Sequence, residues 1–157
     1  YGGFVVCTRG HVDRIDPPAG LEGVIAIPPQ ELSVPTERAR AALPDEVPMR
    51  EAVASIAHSA FVVLGLERGD WDLLGRGLDD VLHQPRREHL YPQSMQLVRT
   101  ARGFGALGAT ISGAGPTVLI WTTWENTGNV LEAARAAVPG WDLRRVTFAE
   151  QGLDVQV

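Results

Sequence analysis

A run of small residues at positions 105–116 is the strongest chemical signal in the sequence. It reads Gly-Ala-Leu-Gly-Ala-Thr-Ile-Ser-Gly-Ala-Gly-Pro. Glycine tolerates positive φ, and small side chains let backbone amides approach a phosphate or a neighbouring segment closely. The same run is typical of a tight hairpin that merely needs glycine, and taken alone it favours that interpretation. It matches no Walker loop, because no Gly-Lys-Ser/Thr follows it.

Arginines near two predicted helix ends are candidates for binding an anion. Thr36 and Arg40 are four residues apart and therefore share a helical face. A guanidinium at this place can hold a carboxylate through two parallel hydrogen bonds. Arg86 and Arg87 follow a proline close to His83 and form a second candidate anion site. For Thr36 and Arg40 the spacing alone favours a solvated helix end. For Arg86 and Arg87, ordinary surface charge near a helix C-terminus is equally typical.

His58 is the remaining candidate, since it lies in a polar strip of an otherwise apolar stretch. A lone histidine on such a stretch is usually a hydrogen-bonded core residue, and the polar strip raises the chance of a functional role only slightly. The sequence contains no Gly-x-Ser-x-Gly elbow, no His-Glu-x-x-His and no cysteine pair for zinc. Its four histidines lack the spacing of metal ligands, so we expect no metal site.

The composition narrows the class of protein. The 157 residues suit one domain, and 45% hydrophobic with 21% charged residues is the balance of a soluble globular protein. A net charge of −5 argues against nucleic-acid binding. No apolar run approaches the roughly 20 residues of a membrane span, so we expect no membrane insertion. The single cysteine suits a reducing cytoplasm, and the start at Tyr1 suggests an excerpt of a longer protein.

The elements that position these candidates follow from periodicity and breaker residues. Strands are predicted at 4–7, 23–27, 109–112, 117–121, 143–148 and 153–157. Helices are predicted at 33–43 with Ser33 as N-cap, at 49–66 and buried on most sides, from the cap Asp70 to about 82, at 92–103, and at 129–138. The four-residue link 113–116 favours antiparallel pairing. The fold class is therefore α+β, a mostly antiparallel sheet with helices packed on one face.

Taken together and in this order, the motifs resemble the homoserine kinases of the GHMP kinase superfamily. Residues 105–117 are similar to the third motif of the superfamily, which ends in Ser-Gly-Ala-Gly-Pro. Residues 35–44 are similar to Thr-x-x-Ala-Arg-x-x-Leu-Pro of homoserine kinases. Residues 82–92 are similar to their His-Gln-Pro-Tyr-Arg-x-x-Leu-x-Pro, and residues 1–5 resemble the strand after the second motif. The resemblance covers nearly the whole chain.

The resemblance implies a fold and a reaction. Residues 1–157 would form the ferredoxin-like C-terminal domain of a GHMP kinase, without its N-terminal ATP-binding domain. The reaction would transfer the γ-phosphoryl of ATP to the hydroxyl of L-homoserine in threonine biosynthesis. ATP and Mg²⁺ would be held mainly by the missing half, so we expect the chain alone to be inactive. A cytoplasmic location is expected, and a homodimer is compatible with the resemblance.

The resemblance also implies the site residues. The carboxylate of homoserine would be held by Arg40 and Arg87, in a pocket that Thr36 and His58 also line. Arg86 stands where the family has tyrosine, so either Arg86 or Arg87 is the gripping residue. The residues expected to contact the ATP-binding lobe are Ser112, Gly113, Ala114 and Gly115.

Three alternatives to a homoserine kinase half remain at this point. The first is a free-standing amino-acid-binding or regulatory module. The second is a truncated remnant without a role, and the third is part of a GHMP kinase for another small alcohol. A kinase half predicts an open apolar flank where the missing lobe packs, and an arginine-lined cleft that faces this flank.

Overall fold

The computed structural model describes residues 1–153, which form six β-strands and six α-helices. The strands are β1 (Phe4–Thr8), β2 (His11–Ile15), β3 (Leu21–Ile27), β4 (Gly108–Ile111), β5 (Val118–Thr123) and β6 (Asp142–Thr147). The helices are α1 (Thr36–Ala41), α2 (Met49–Arg68), α3 (Trp71–Gly77), α4 (Gln84–Arg87), α5 (Pro92–Thr100) and α6 (Thr127–Ala137). The predicted α+β class is confirmed.

The central sheet is antiparallel and has the spatial order β4-β5-β3-β6. Val24 of β3 and Ile120 of β5 are cross-strand partners, so their side chains point to the same face, where they are fully buried. Val130 of α6 and Leu97 of α5 pack against them in one hydrophobic core. The helices α5 and α6 thus cover one face of the sheet, as the sequence predicts.

The helices α2 and α3 form a hairpin beside the sheet. Their backbones approach closely because glycine stands at the contact: a Cβ at Gly65 would lie 2.5 Å from the backbone nitrogen of Leu74. Leu66 and Leu74 join a second core cluster, which also takes in Trp121 of the sheet. Phe4 of the β1–β2 hairpin stacks on Trp121 at a ring-centroid distance of 5.8 Å. The second cluster therefore ties the helical hairpin and the β-hairpin to the sheet.

Several local predictions need correction. The sequence does not predict the strand β2, because the adjacent charged residues Asp13 and Arg14 break the alternation that indicates a strand. Ser33 does not cap α1, which begins after Pro35 without a side-chain cap. Asp70 does cap α3, and its carboxylate accepts a hydrogen bond from the Leu73 amide at 3.0 Å. The predicted strand 153–157 lies largely outside the described residues.

The predicted burial of α2 on most sides is wrong. Only Gly65 and Leu66 of this helix are buried, whereas Met49 is 78% and Ile56 is 70% exposed. By length and composition, α2 is also the one helix among residues 1–153 that is apolar enough to cross a membrane, although the sequence analysis expected no such segment.

An ion pair between a largely buried carboxylate and a half-exposed arginine fastens the far edge of the sheet. The carboxylate of Glu22 in β3 accepts hydrogen bonds from Arg145 of β6 at 2.8 and 2.6 Å and from the Thr127 hydroxyl at 2.6 Å. The hydrogen bonds from Arg145 lower the pKa of Glu22, and they outweigh the effect of burial, which raises it. Three elements therefore depend on one ionised carboxylate.

We expect Glu22→Gln to lower the free energy of unfolding at neutral pH by about 1 kcal/mol, because the network loses its negative charge and one of its two acceptor oxygens while solvent screens the half-exposed Arg145. A folded-state pKa below the ordinary 4.5 means that the pair stabilises the fold above that pH, and that this contribution is lost as the pH falls through the folded value. Urea denaturation at neutral and at acidic pH measures both effects.

The matched control is Asp142→Asn, which removes an exposed pair with Arg144 and should change stability little. If the difference between Glu22→Gln and the parent were the same at neutral and at strongly acidic pH, the ionised pair would not be its cause.

Candidate functional site

An aspartate turn positions the first part of the site. The Asp80 carboxylate accepts hydrogen bonds from three consecutive backbone amides, those of Leu82 at 2.7 Å, His83 at 2.9 Å and Gln84 at 3.0 Å. These amides open the short helix α4 and would otherwise lack partners. The turn also explains why α3 ends at Gly77 and does not continue to 82 as the apolar spacing predicted.

The helix α4 joins two distant segments through buried polar side chains. The Gln84 side chain is 6% exposed, and its carbonyl oxygen accepts a hydrogen bond from the Ile111 amide at 2.8 Å. The Arg87 side chain is 8% exposed, and its Nε donates to the carbonyl of Ala39 at 2.8 Å. The segment thus holds the end of β4 on one side and α1 on the other.

The link between β4 and β5 is the glycine-rich loop, residues 112–115. The Ser112 amide donates to the carbonyl of Thr117 at 2.8 Å, and the Gly115 amide donates to the carbonyl of Ser112 at 3.0 Å. Gly115 has a φ of 85°, and a Cβ there would lie 2.8 Å from a ring carbon of Tyr91. Glycine is therefore required at 115 both by conformation and by space.

A pocket of about 290 Å³ lies where α4 meets the glycine-rich loop. It is lined by Asp80, His83, Gln84, Arg87, Thr110, Ile111 and Gly113. The guanidinium, imidazole and hydroxyl groups make it suitable for a small anionic or zwitterionic ligand. A groove of about 610 Å³ between α5 and the end of α6 is larger, but no charged side chain lines it.

Tyr91 forms the floor beneath the glycine-rich loop. The residue is 4% exposed, and its hydroxyl makes no hydrogen bond within residues 1–153. Burial raises the pKa of the Tyr91 phenol, and the neighbouring Arg87 guanidinium opposes this shift without cancelling it. The phenol is therefore neutral at physiological pH.

The structure brings some of the predicted site residues together and leaves others apart. Arg87 and Gly113 line one pocket, and Ser112, Ala114 and Gly115 continue the same loop. Thr36, Arg40 and His58 do not line it. Thr36 and Arg40 are exposed on α1. Arg40 is the next residue after Ala39, whose carbonyl accepts the hydrogen bond from Arg87. The Nδ1 atom of His58 lies 2.6 Å from the carbonyl oxygen of Asp79.

Arg86 and Arg87 have different surroundings. Arg86 donates to the carboxylate of Glu51 on α2 and to the carbonyl of Val81, so it ties α4 to α2. Arg87 uses only Nε within the described chain, and neither of its terminal nitrogens forms a hydrogen bond there. Of the two arginines, Arg87 retains the pair of donors that a carboxylate needs.

The sequence does not predict three residues of the site: Asp80, Gln84 and Tyr91. Asp80 precedes a proline-containing helix start, which is a typical place for a capping carboxylate. Gln84 stands inside the quoted motif beside the arginines, although its role as a bridge to Ile111 depends on tertiary contact. Nothing in the sequence marks Tyr91 as the floor of the loop.

Acidic and other metal-binding side chains do not gather in this region. Within residues 1–153 no group of three or more His, Cys, Asp or Glu residues lies close enough to hold a metal ion. The nearest carboxylate of the pocket, that of Asp80, is already engaged by backbone amides.

The amino-acid sequence is similar to one protein family and to many individual proteins. The family described as "GHMP kinases C terminal" matches residues 62–140. A homoserine kinase of Deinococcus radiodurans is 42% identical over 123 residues, which make up 76% of this chain and 39% of that protein. A homoserine kinase of Xanthomonas campestris is 38% identical over 155 residues, or 99% of this chain and 45% of that protein. The chain spans about half the length of the curated relatives it matches.

Solved structures agree with the sequence comparison. The crystal structure of a homoserine kinase from Cytophaga hutchinsonii superposes with a TM-score of 0.88 at 32% identity, over 97% of this chain and 50% of that one. A phosphomevalonate kinase of Streptococcus pneumoniae superposes with a TM-score of 0.67 at 14% identity, over 87% of this chain and 43% of that one, and shows the fold alone. The matches fall on the C-terminal half of the homoserine kinases. The chain therefore belongs to the GHMP kinase C-terminal family.

Proposed function

We propose that this chain, residues 1–157, is the substrate-binding C-terminal half of a kinase that transfers phosphate from ATP to the hydroxyl of L-homoserine. One observation carries the proposal: Arg87 and the glycine-rich loop, which belong to two separate motifs, line a single pocket. The arginine would bind the carboxylate of the substrate, and the loop would lie near the phosphate that is transferred. The pocket thus combines the two contacts that this reaction requires. The product, O-phosphohomoserine, would serve threonine biosynthesis.

The role proposed for Arg87 follows from its hydrogen bonds. Its Nε is fixed on the carbonyl of Ala39, which leaves both terminal nitrogens for a carboxylate. Such a clamp fixes the amino acid so that its hydroxyl meets the γ-phosphorus. Arg40, which follows Ala39 in α1, would supply the second cation, and Thr36 and His58 would line the outer wall.

Phosphoryl transfer requires positioning and charge neutralisation more than covalent help. The glycine-rich loop would contact the ATP-binding lobe and steady its phosphate loop. Mg²⁺, when bound with ATP, would neutralise charge on the phosphates. By the resemblance to the family, the ligands of Mg²⁺ and most contacts to ATP would lie in an N-terminal lobe of a cytoplasmic enzyme.

An open apolar flank supports the proposal of such a lobe. The hairpin of β1 and β2 exposes Val5, Val6 and Val12. A two-stranded hairpin is at most marginally stable by itself, and its outer edges offer unpaired backbone groups to a further strand. The hairpin is therefore the surface on which we expect the N-terminal lobe to pack.

The clamp predicts a large effect of single substitutions on binding of L-homoserine. Arg87→Ala and Arg40→Ala should each raise the dissociation constant about 10- to 100-fold, because each removes hydrogen bonds to a charged group worth roughly 1.5–3 kcal/mol. Isothermal titration calorimetry with L-homoserine measures the change. Arg38→Ala, on the exposed side of α1, is the matched control and should bind like the parent.

Arg87→Lys separates a failed clamp from a failed fold, because it keeps the charge but loses the bidentate geometry. Its circular dichroism should match the parent while its affinity falls. Parent-like binding by both alanine variants would show that the clamp is assigned to the wrong residues.

The kinase activity should appear only in a longer protein. We expect an antibody to this chain to isolate from native cells a polypeptide of about twice the mass, as two domains require. That polypeptide should release ADP from ATP when L-homoserine is added, whereas the 157-residue chain should not.

A native polypeptide of the size of this chain would favour the free-standing binding module. A longer polypeptide that releases ADP with another small alcohol, and not with L-homoserine, would retain the kinase and reject the substrate.

A further inference from the structure

The hydroxyl group of Tyr91 is a buried polar group that the fold does not satisfy. The side chain is 4% exposed, and its Oη forms no hydrogen bond within residues 1–153. Buried polar groups are almost always hydrogen-bonded, because an unpaired one destabilises the folded state. A phenylalanine at position 91 would fill the same space without this cost. Folding alone therefore does not account for the hydroxyl.

The hydroxyl end of the Tyr91 ring lies beside both motifs of the pocket. A Cβ at Gly115 would lie 2.8 Å from Cε1 of this ring and 3.0 Å from Cζ, the carbon that bears the hydroxyl. The glycine-rich loop thus covers this end of the ring. The guanidinium of Arg87 is close enough to lower the pKa of the phenol, against the larger effect of burial. The hydroxyl is therefore adjacent to the loop and to the arginine.

We propose that Tyr91 is a positioning residue, whose Oη accepts a hydrogen bond from a terminal nitrogen of Arg87 when that guanidinium binds the carboxylate of the substrate. The proposal rests on the function proposed above for Arg87. A guanidinium has five N–H donors. The Nε donor of Arg87 is used on Ala39, and an end-on pair with a carboxylate takes one hydrogen from each terminal nitrogen. Each terminal nitrogen keeps a second hydrogen, so Tyr91 and the carboxylate do not compete.

The hydrogen bond to Tyr91 would fix the plane of the guanidinium. A guanidinium that is held at Nε alone can still tilt about that hydrogen bond, and bidentate binding of a carboxylate depends on the plane. Two charged groups near the phenol affect its pKa, those of Arg87 and Asp80. The Asp80 carboxylate already accepts three backbone amides. Arg87 is therefore the charged partner that remains available to the hydroxyl.

Tyr91→Phe tests the proposal, because it removes the hydroxyl and keeps the ring beneath Gly115. The urea midpoint of the 157-residue chain should be unchanged or higher, since an unpaired buried hydroxyl is lost. The dissociation constant for L-homoserine, measured by calorimetry, should rise about 3- to 10-fold. Tyr1→Phe is the matched control: it removes the other tyrosine hydroxyl of the chain, on a residue that is 86% exposed, and should bind like the parent.

A double-mutant cycle and an NMR signal separate positioning from a structural role. In the Arg87→Ala background, Tyr91→Phe should weaken binding no further, because Tyr91 acts through the guanidinium. In Tyr1→Phe, tyrosine labelled with ¹³C at Cζ gives one resonance, that of Tyr91. We expect this resonance to shift when L-homoserine or acetate is added, and not to shift once Arg87→Ala is introduced.

The two ligands distinguish failure of this inference from failure of the proposed function. A parent that does not bind L-homoserine would reject the proposed substrate, while a shift caused by acetate through Arg87 would still support the positioning role. A lower urea midpoint of Tyr91→Phe, parent-like affinity of this variant, or an equal loss of affinity in both backgrounds would overturn the inference. A Tyr91 resonance that neither ligand shifts would overturn it as well.

Discussion

The carboxylate of Asp80 is the constraint on which the site depends. By accepting three backbone amides it ends the helical hairpin and begins α4 within a few residues. That change of direction places Gln84 against the end of β4 and Arg87 against α1. A charged acceptor with three donors is strong enough to define a turn without help from the core. The pocket exists because this turn brings two separate motifs to the same place.

The architecture was predictable wherever local chemistry agreed with tertiary packing. The Asp70 cap, the antiparallel strands around residues 112–117 and the apolar periods of α5 and α6 all have local causes. The errors arose where tertiary contacts decided the outcome. The apolar spacing after α3 continues to position 82, yet the Asp80 turn interrupts it. The strand β2 depends on pairing with β1, and its own sequence is too polar to reveal it.

The site was predictable only in part, because motifs name residues without their geometry. The resemblance singled out Arg87 and the glycine-rich loop, and both line the pocket. It left open which of two neighbouring arginines grips the ligand, and the difference lies in contacts that no motif contains. Arg86 is bound to Glu51, whereas Arg87 keeps two donors. The glycine at 115 has its explanation in Tyr91, twenty-four positions earlier in the sequence.

The helix α2 shows how the hydrophobic pattern of one element can serve two surfaces. Its inner side carries Val62 and Leu66 in the second core cluster, together with Gly65, which admits the backbone of α3, and Glu51, which reaches Arg86. Its outer side also carries large apolar residues, whereas the outer side of an ordinary surface helix is polar. Burial within one chain therefore does not account for the outer residues. Exposing these apolar side chains to water is unfavourable in free energy. This cost is removed only when another surface covers them.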